Sequence, residues 1–297
     1  MIAKLLVQTY FLVHGRLGLP GAGWLIRRCC PWVRGLWDFP LAVPGVGTAR
    51  LDFRDGAAFG MLNVLLRDYG QNAYLFRCID LLVEPGQVVW DIGANVGYFL
   101  LYYITPPRQP GIVHAFEPNP AALKTVQSLF VGHPRVRVHP VGLGRADQVL
   151  EMNVVPGDTA IGSLTRDLPN AKRIQIQVRN GDAYRRAHAL ELPDFIKMDV
   201  EGFEVEAFRG LVETIALKRP VILFEHGLLD DGQLGEILRL VPSDYRIGFL
   251  RRDNTVTEIL AQRRAADGDD AILIPVERQD VFAKLGLASP RPQTGGA

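Results

Sequence analysis

A chain of 297 residues, nearly half of them apolar, is long enough to bury one large core or two small ones. A formal net charge of +1, with no basic block interleaved with aromatic residues, argues against a nucleic-acid partner. Three cysteines, adjacent at Cys29 and Cys30 and alone at Cys78, give neither a disulfide framework nor metal-ligand spacing, which points to a reducing, cytoplasmic setting.

The first 80 residues read as a cap. Residues 1–35 look helical around the break Gly18-Leu19-Pro20-Gly21. Residues 41–53 resemble a hairpin around Pro44-Gly45-Val46-Gly47, and residues 57–83 offer two short helices. Residues 1–50 carry Lys4, Arg16, Arg27, Arg28, Arg34 and Arg50 against Asp38 alone, so six minus one gives a local charge of +5. Such a segment suits peripheral contact with an anionic membrane surface, and equally a helical cap with a solvated basic face. The apolar run at 5–13 is far short of the ~20 residues a membrane-spanning helix needs. No signal-peptide cleavage pattern follows it.

From residue 81 onward, strand-like runs at 88–91, 112–116, 136–139, 195–199, 221–225, 245–250 and 271–275 alternate with helical stretches at 96–104, 120–131, 204–217 and 232–240. Most of the runs are continuously apolar, as strands covered on both faces should be. The alternation predicts a doubly wound α/β sheet over residues 81–280, with an insertion at 148–179 whose ends, 149–155 and 174–178, are strand-like. The tail, 281–297, ends in a Pro/Gly/Ser/Thr-rich stretch expected to be disordered.

Chemistry concentrates at the ends of these runs. The first strand leads through Asp91-Ile-Gly93-Ala-Asn95-Val-Gly97 into a helix, the context in which a glycine turn marks a nucleotide-type site. The glycines are expected to let the backbone approach a ligand closely. Asp91 would repel a pyrophosphate but suits a cationic ammonium, such as that of the methionine moiety of S-adenosylmethionine. The next strand ends at Glu117-Pro-Asn119-Pro, an acid placed to accept two hydrogen bonds from ribose hydroxyls. NAD sites use an acid there as well, so an NAD-dependent oxidoreductase or epimerase stays open on this feature alone. A third stretch, Lys197-Met-Asp199-Val-Glu201-Gly202-Phe-Glu204, and the following Glu225-His226 should open onto the same crevice. Lys197 and Glu225 are candidates for a structural ion pair between neighbouring strands. Glu204 and Glu206 fit the first turn of a helix.

Together these stretches resemble the FkbM-type methyltransferases, which use S-adenosylmethionine. The motifs that carry the likeness are Asp91 to Gly97, Ala115-Phe-Glu117-Pro-Asn119-Pro and Ile196 to Glu204, with Glu84-Pro-Gly86 and Phe224-Glu225 in support. The resemblance implies a class I methyltransferase fold, Rossmann-like, with a mostly parallel seven-stranded sheet whose last strand is antiparallel. It also implies O-methylation of a small metabolite, a sugar or glycan, or a lipid-linked acceptor. Asp91, Gly93, Asn95, Gly97, Glu117 and Asn119 would then bind the cofactor. The chain departs from the pattern at Gly181-Asp182, where the family often has Leu-Asp, and around Ile161-Gly-Ser-Leu164.

An alcohol needs a base to take its proton as the new bond forms, and Asp199 or His226 is expected in that role, with Glu201 and Glu225 shaping the site. Asp199, Glu201, Glu225 and His226 are also a candidate ligand set for Mg²⁺. A non-catalytic S-adenosylmethionine-binding protein is the further alternative, because a fold alone never proves chemistry.

Overall fold

The computed structural model of the chain describes residues 1–17, 22–43, 46–67, 72–105, 109–167, 169–258 and 269–288. The Gly18–Gly21 break, the Pro44-Gly45 turn and the 289–297 tail lie outside these residues.

The chain starts with helix α1 (Ile2–Tyr10), which buries Ala3, Val7 and Tyr10 along one face. A π-helical stretch, Phe11–Arg16, follows, and α2 (Ala22–Cys29) packs back on α1. Strands β1 (Phe39–Val43) and β2 (Gly47–Leu51) form the expected hairpin, and α3 (Ala57–Leu66) and α4 (Ala73–Leu82) are the two expected helices.

The main sheet is built from β3 (Val88–Ile92), β4 (Ile112–Phe116) and β5 (Val136–His139), then β10 (Phe195–Met198), β11 (Val221–Glu225), β12 (Tyr245–Leu250), β13 (Val256–Thr257) and β14 (Asp270–Pro275). Its spatial order is β13-β12-β14-β11-β10-β3-β4-β5. Strands β5, β4, β3, β10 and β11 run parallel, and β14 slots antiparallel between β11 and β12. The seven expected strands are all present. An eighth, β13, adds two residues antiparallel to the outer edge of β12, too short to leave a periodic signal.

The region read as an insertion forms a second, four-stranded sheet. Strand β7 (Gln148–Val155) pairs antiparallel with β8 (Asp158–Ser163) and with β9 (Lys172–Asn180), while the short β6 (Gly142–Gly144) joins β9 in parallel. Gly56 donates its N–H to the Gly157 carbonyl at 3.3 Å, so the N-terminal cap and this small sheet meet.

Helices cover both faces of the main sheet. One face packs α4, α5 (Tyr98–Ile104), α6 (Pro120–Phe130) and α11 (Gln279–Lys284) into a core that also takes Ile26, Phe53, Phe59 and Leu62 from the cap. The cap therefore shares that core and has none of its own. The other face packs α7 (Gly181–Ala187), α8 (Glu204–Arg209), α9 (Val212–Lys218) and α10 (Asp231–Leu240) around Trp90, Phe116, Phe208 and Phe224. The single helix expected over 204–217 is broken after Arg209, where Gly210 packs so closely on β6 that a Cβ would stand 2.0 Å from the Gly144 carbonyl oxygen.

Candidate active site

Moving outward from the centre of the sheet, the chain progresses from β3 through β4 to β5 on one side, and from β10 to β11 on the other. The topological switch point therefore lies between β3 and β10, where doubly wound sheets open a crevice at their carboxyl ends. A cavity of about 240 Å³ opens there. Its polar wall includes Asn95, Glu117, Asn119, Lys197, Asp199 and Glu201; Leu143, Met152, Ile176, Val178 and Phe203 form much of its apolar wall.

Gly93 sits at φ +85°, and a Cβ there would stand 1.8 Å from the Asp199 carbonyl oxygen. The neighbouring amide works the same way: Asp199 N–H donates to the Ile92 carbonyl at 3.0 Å. Gly93 lines the cavity, as expected, and is also required by the close approach of two strand ends. At Gly97, with φ +87°, a Cβ would stand 3.1 Å from Phe130 and Val126 of α6. Asn95 takes the left-handed conformation at φ 50°. Its N–H donates to Glu117 Oε2 at 2.7 Å, while Asn119 N–H donates to Oε1, also at 2.7 Å. One carboxylate thereby holds both turns. Burial pushes Glu117 up to about 7, against the pull of those two backbone bonds. Asn119 caps α6 by accepting from Ala121 N–H at 3.0 Å.

Asp91 departs from expectation. It is fully enclosed, and among the described residues it is not one that lines the cavity. Neither carboxylate oxygen has a hydrogen-bond partner. The ammonium it faces belongs to the protein: Lys197 Nζ lies 3.8 Å from Asp91 Oδ1, 3.1 Å from Asp199 Oδ2 and 4.3 Å from the centre of the Phe99 ring. Parallel register sets this up, since Lys197 is directly opposite Asp91 on the neighbouring strand. The expected Lys197–Glu225 pair is replaced by this arrangement, because Lys197 stands opposite Leu223 on β11. Burial pushes Asp91 up to about 6 despite Lys197. Burial also works against the Lys197 ammonium, but Asp199 and Asp91 more than offset it and hold Lys197 above its ordinary value.

Beyond β10 the acids crowd together. Glu201, at φ 55°, is gripped by Arg166 at 2.8 Å, and burial followed by the charge of Asp199 raises it to about 7. Glu204 is both in the first turn of α8 and fully buried; its Oε1 accepts from Val200 N–H at 3.1 Å and Gly202 N–H at 3.4 Å, closing the loop. Glu225 is pushed up to about 9, by burial first and then by Asp199 and Glu201. Oxygens of Asp199, Glu201 and Glu225 lie within 4.8 Å of one another. His226 does not join them. It is buried edge-on to the Phe249 ring at 5.1 Å, its N–H donates to the Asp269 carbonyl, and it is not among the described residues lining the cavity. The strand ends at Glu225 and the chain turns at once, which carries the imidazole away from the site.

Two polar residues at and just beyond the end of β8 hold Glu201 without being among the described residues that line the cavity: Ser163, whose Oγ donates to the Glu201 backbone carbonyl at 3.0 Å, and Arg166, which pairs with its carboxylate. The only local signal for them was the Gly162-Ser163 turn.

The Methyltransferase FkbM domain matches residues 91–250, more than half of the chain. The chain belongs to the FkbM methyltransferase family. Among its curated relatives, Methyltransferase 1 of Beauveria bassiana is 31% identical over 160 residues, covering 46% of this chain and 64% of that protein. Hexuronic acid methyltransferase AglP of Haloferax volcanii is 24% identical over 188 residues, 63% of this chain and 76% of that protein. The 31-O-demethyl-FK506 methyltransferase FkbM of Streptomyces tacrolimicus is 26% identical over 206 residues, 58% of this chain and 76% of that protein. The chain thus spans just under two thirds of the length of the first of these relatives. FkbM membership sets aside the reading as an NAD-dependent oxidoreductase or epimerase. The Gly181-Asp182 departure from the usual FkbM pattern also has a structural reason. Asp182 is buried and accepts from Glu213 N–H, Thr214 N–H and Thr214 Oγ1, capping α9 from a distance in sequence. Gly181 leaves no room for a side chain, since a Cβ would meet Leu211 at 2.6 Å and the Gly210 carbonyl at 2.9 Å.

Proposed function

We propose that this protein methylates a hydroxyl group of a small metabolite or sugar, with S-adenosylmethionine as donor. The observation that carries the reading is the cavity at the β3/β10 switch point, which joins a buried acid on the nucleoside side, Glu117, to the acid Asp199 at the far end, with Glu201 in the wall beyond it. The residues present fit the cofactor. Glu117 would hold the ribose, Leu143 and the apolar side chains of the small sheet would flank the adenine, and Asp199 would meet the positive end. When bound, the cofactor supplies an electrophilic methyl group on a sulfonium.

The chain's own contribution is alignment, water exclusion and proton removal. Glu201 lines the cavity and is raised to about 7, near the pH at which it would work, so it is the carboxylate best placed to take the hydroxyl proton. Asp199, anchored by Lys197, is held in place beside it. His226 is withdrawn from the proposal because of its position. The mutual closeness of Asp199, Glu201 and Glu225 also suits a divalent ion such as Mg²⁺, which would lower the hydroxyl's pKa directly. The O-linked acceptor named for the Streptomyces relative and the hexuronic acid named for the Haloferax one support an oxygen acceptor on a carbohydrate or macrolide-like compound.

Calorimetry with S-adenosylhomocysteine and S-adenosylmethionine tests the assignment. Glu117→Ala should weaken both by at least tenfold. Asp199→Asn should weaken the sulfonium form more than the neutral thioether. Glu201→Gln should leave both affinities intact while methyl transfer to a screened panel of sugar acceptors is lost. Wild type that binds neither ligand would refute the reading; transfer that survives Glu201→Gln would refute the base.

A further inference from the structure

Of the thirteen large apolar side chains standing open to solvent among the described residues, eight lie within the first 32 positions. They include Ile2, Leu5, Leu12, Trp24 and Trp32, the last two 64% and 86% exposed. On α1 they occupy the side away from the buried Ala3, Val7 and Tyr10. Before Asp38 the chain has no acidic residue, yet it carries Lys4, Arg16, Arg27, Arg28 and Arg34. Farther along, Arg50 is neutralised by Asp38 and Arg54 by Asp52; among the described residues, none of the five earlier cations has such a pair. Arg28 lies over the Trp24 ring and Arg34 over that of Trp37, so charge and aromatic surface stand side by side. Exposed tryptophan and leucine interleaved with unpaired arginine is the composition of a helix lying in the interface of an anionic bilayer. No helix among the described residues is long and apolar enough to cross one.

We infer that the outer surface of α1 and α2 docks on an anionic lipid surface, and that the acceptor is delivered from it. The second half rests on the function proposed above. A cleft of about 320 Å³ lies between α2, the start of α3 and the glycine turn, with Arg27, Gly56, Gly60, Asn95 and Tyr98 in its wall. Asn95 and Tyr98 also line the cofactor cavity, so the two spaces adjoin. A Cβ at Gly60 would touch nothing within 4 Å, which leaves the cleft open at that point. Arg27, held over the Phe59 ring, is the one charged residue of the cleft wall among the described residues and suits a phosphate or carboxylate on an acceptor whose lipid end stays in the membrane. Helix α2 thus turns Trp24 and Arg28 outward while lending Arg27 to the cleft.

The test is co-sedimentation of the full chain with phosphatidylcholine vesicles, with and without 30 mol% phosphatidylglycerol. Binding to the anionic vesicles should exceed binding to the neutral ones at least tenfold and should be released by 0.5 M NaCl. Tryptophan emission should shift to the blue on binding. The double variant Leu5→Ser/Trp32→Ser should lose at least tenfold in vesicle binding while keeping wild-type affinity for S-adenosylhomocysteine, which also shows that it is folded. Equal binding to both vesicle types, or undiminished binding by the variant, would overturn the inference. So would a concentration-dependent dimer that the double variant abolishes while wild type ignores the vesicles. Because vesicle binding is read without cofactor, its failure is separable from failure of the proposed transferase activity.

Discussion

Replacing Lys197 with methionine keeps most of the side chain's length and removes the cation that, among the described residues, faces Asp91 inside the sheet. Asp91 is fully enclosed with both carboxylate oxygens unbonded, so the loss leaves a bare buried charge. At the 3.8 Å separation, Coulomb's law with an effective dielectric constant of about 20 gives roughly 4 kcal/mol. Breaking one side of a buried pair generally costs about 3–5 kcal/mol, in agreement. At roughly 2–4 °C per kcal/mol for a chain of this size, the melting temperature should fall by about 6–20 °C. Asp91→Asn in the same background should recover much of that loss, because it removes the stranded charge. The deficit should also depend on pH. A carboxyl whose folded-state pKa is raised above its unfolded value contributes no penalty below the unfolded value and an increasing one as pH rises through the folded value. Asp91 already stands at about 6 beside Lys197, and rises further without it. The Lys197→Met loss should therefore be larger at pH 8 than at pH 5. Thermal melts of wild type, the two single variants and the double variant at both pH values supply the cycle. A drop below about 3 °C, or no recovery in the double variant, would refute the account of Lys197 as the internal counter-ion of Asp91.

Asp182→Ala should destabilise by about 3 kcal/mol, because two backbone amides and a hydroxyl lose a charged acceptor, and melting should show it without change in S-adenosylhomocysteine affinity. Gly93→Ala places a methyl group against the Asp199 carbonyl and should abolish both cooperative melting and cofactor binding; a wild-type melt would refute the contact. His114 and His139 share a 2.9 Å hydrogen bond, and burial lowers both, His139 to about 3. The unfolded chain takes up protons first as pH falls below about 6.5, so this pair loses stability between there and about 3. Urea midpoints from pH 7 to pH 4.5 should fall less steeply in His139→Phe than in wild type.

The main sheet was legible because its strands are buried on both faces and therefore continuously apolar, as at Val89, Trp90 and Ile92. Glu117 stood out as an acid ending the second strand beside the glycine turn, but its hold on the Asn95 and Asn119 amides could not be read from the sequence. What escaped depends on register and on backbone contacts between distant segments. Lys197 pairs with Asp91 because β10 lies beside β3 in one specific alignment, which no local pattern encodes. The break at Gly210 answers to β6, about 66 residues earlier in the chain. His226 was misplaced because adjacency to Glu225 in sequence does not survive the turn that follows a strand. Two strands of the small sheet were legible as the strand-like runs at 149–155 and 174–178, which became β7 and β9, whereas β6 is only three residues long and leaves no periodic signal.

The hold of Ser163 and Arg166 on Glu201 bears on the timing of turnover. The side chain proposed to receive the hydroxyl proton is paired with Arg166, just beyond β8 of the small sheet, while Ser163 bonds the backbone carbonyl of the same residue. If Glu201 takes the proton as proposed, its ion pair with Arg166 would be lost while the Ser163 bond to its carbonyl remained, so this contact would be weakest just after methyl transfer. Chemistry and release would then be coupled through a single titration: the contact holds while the ligands are unreacted, and loosens when there is product to let go.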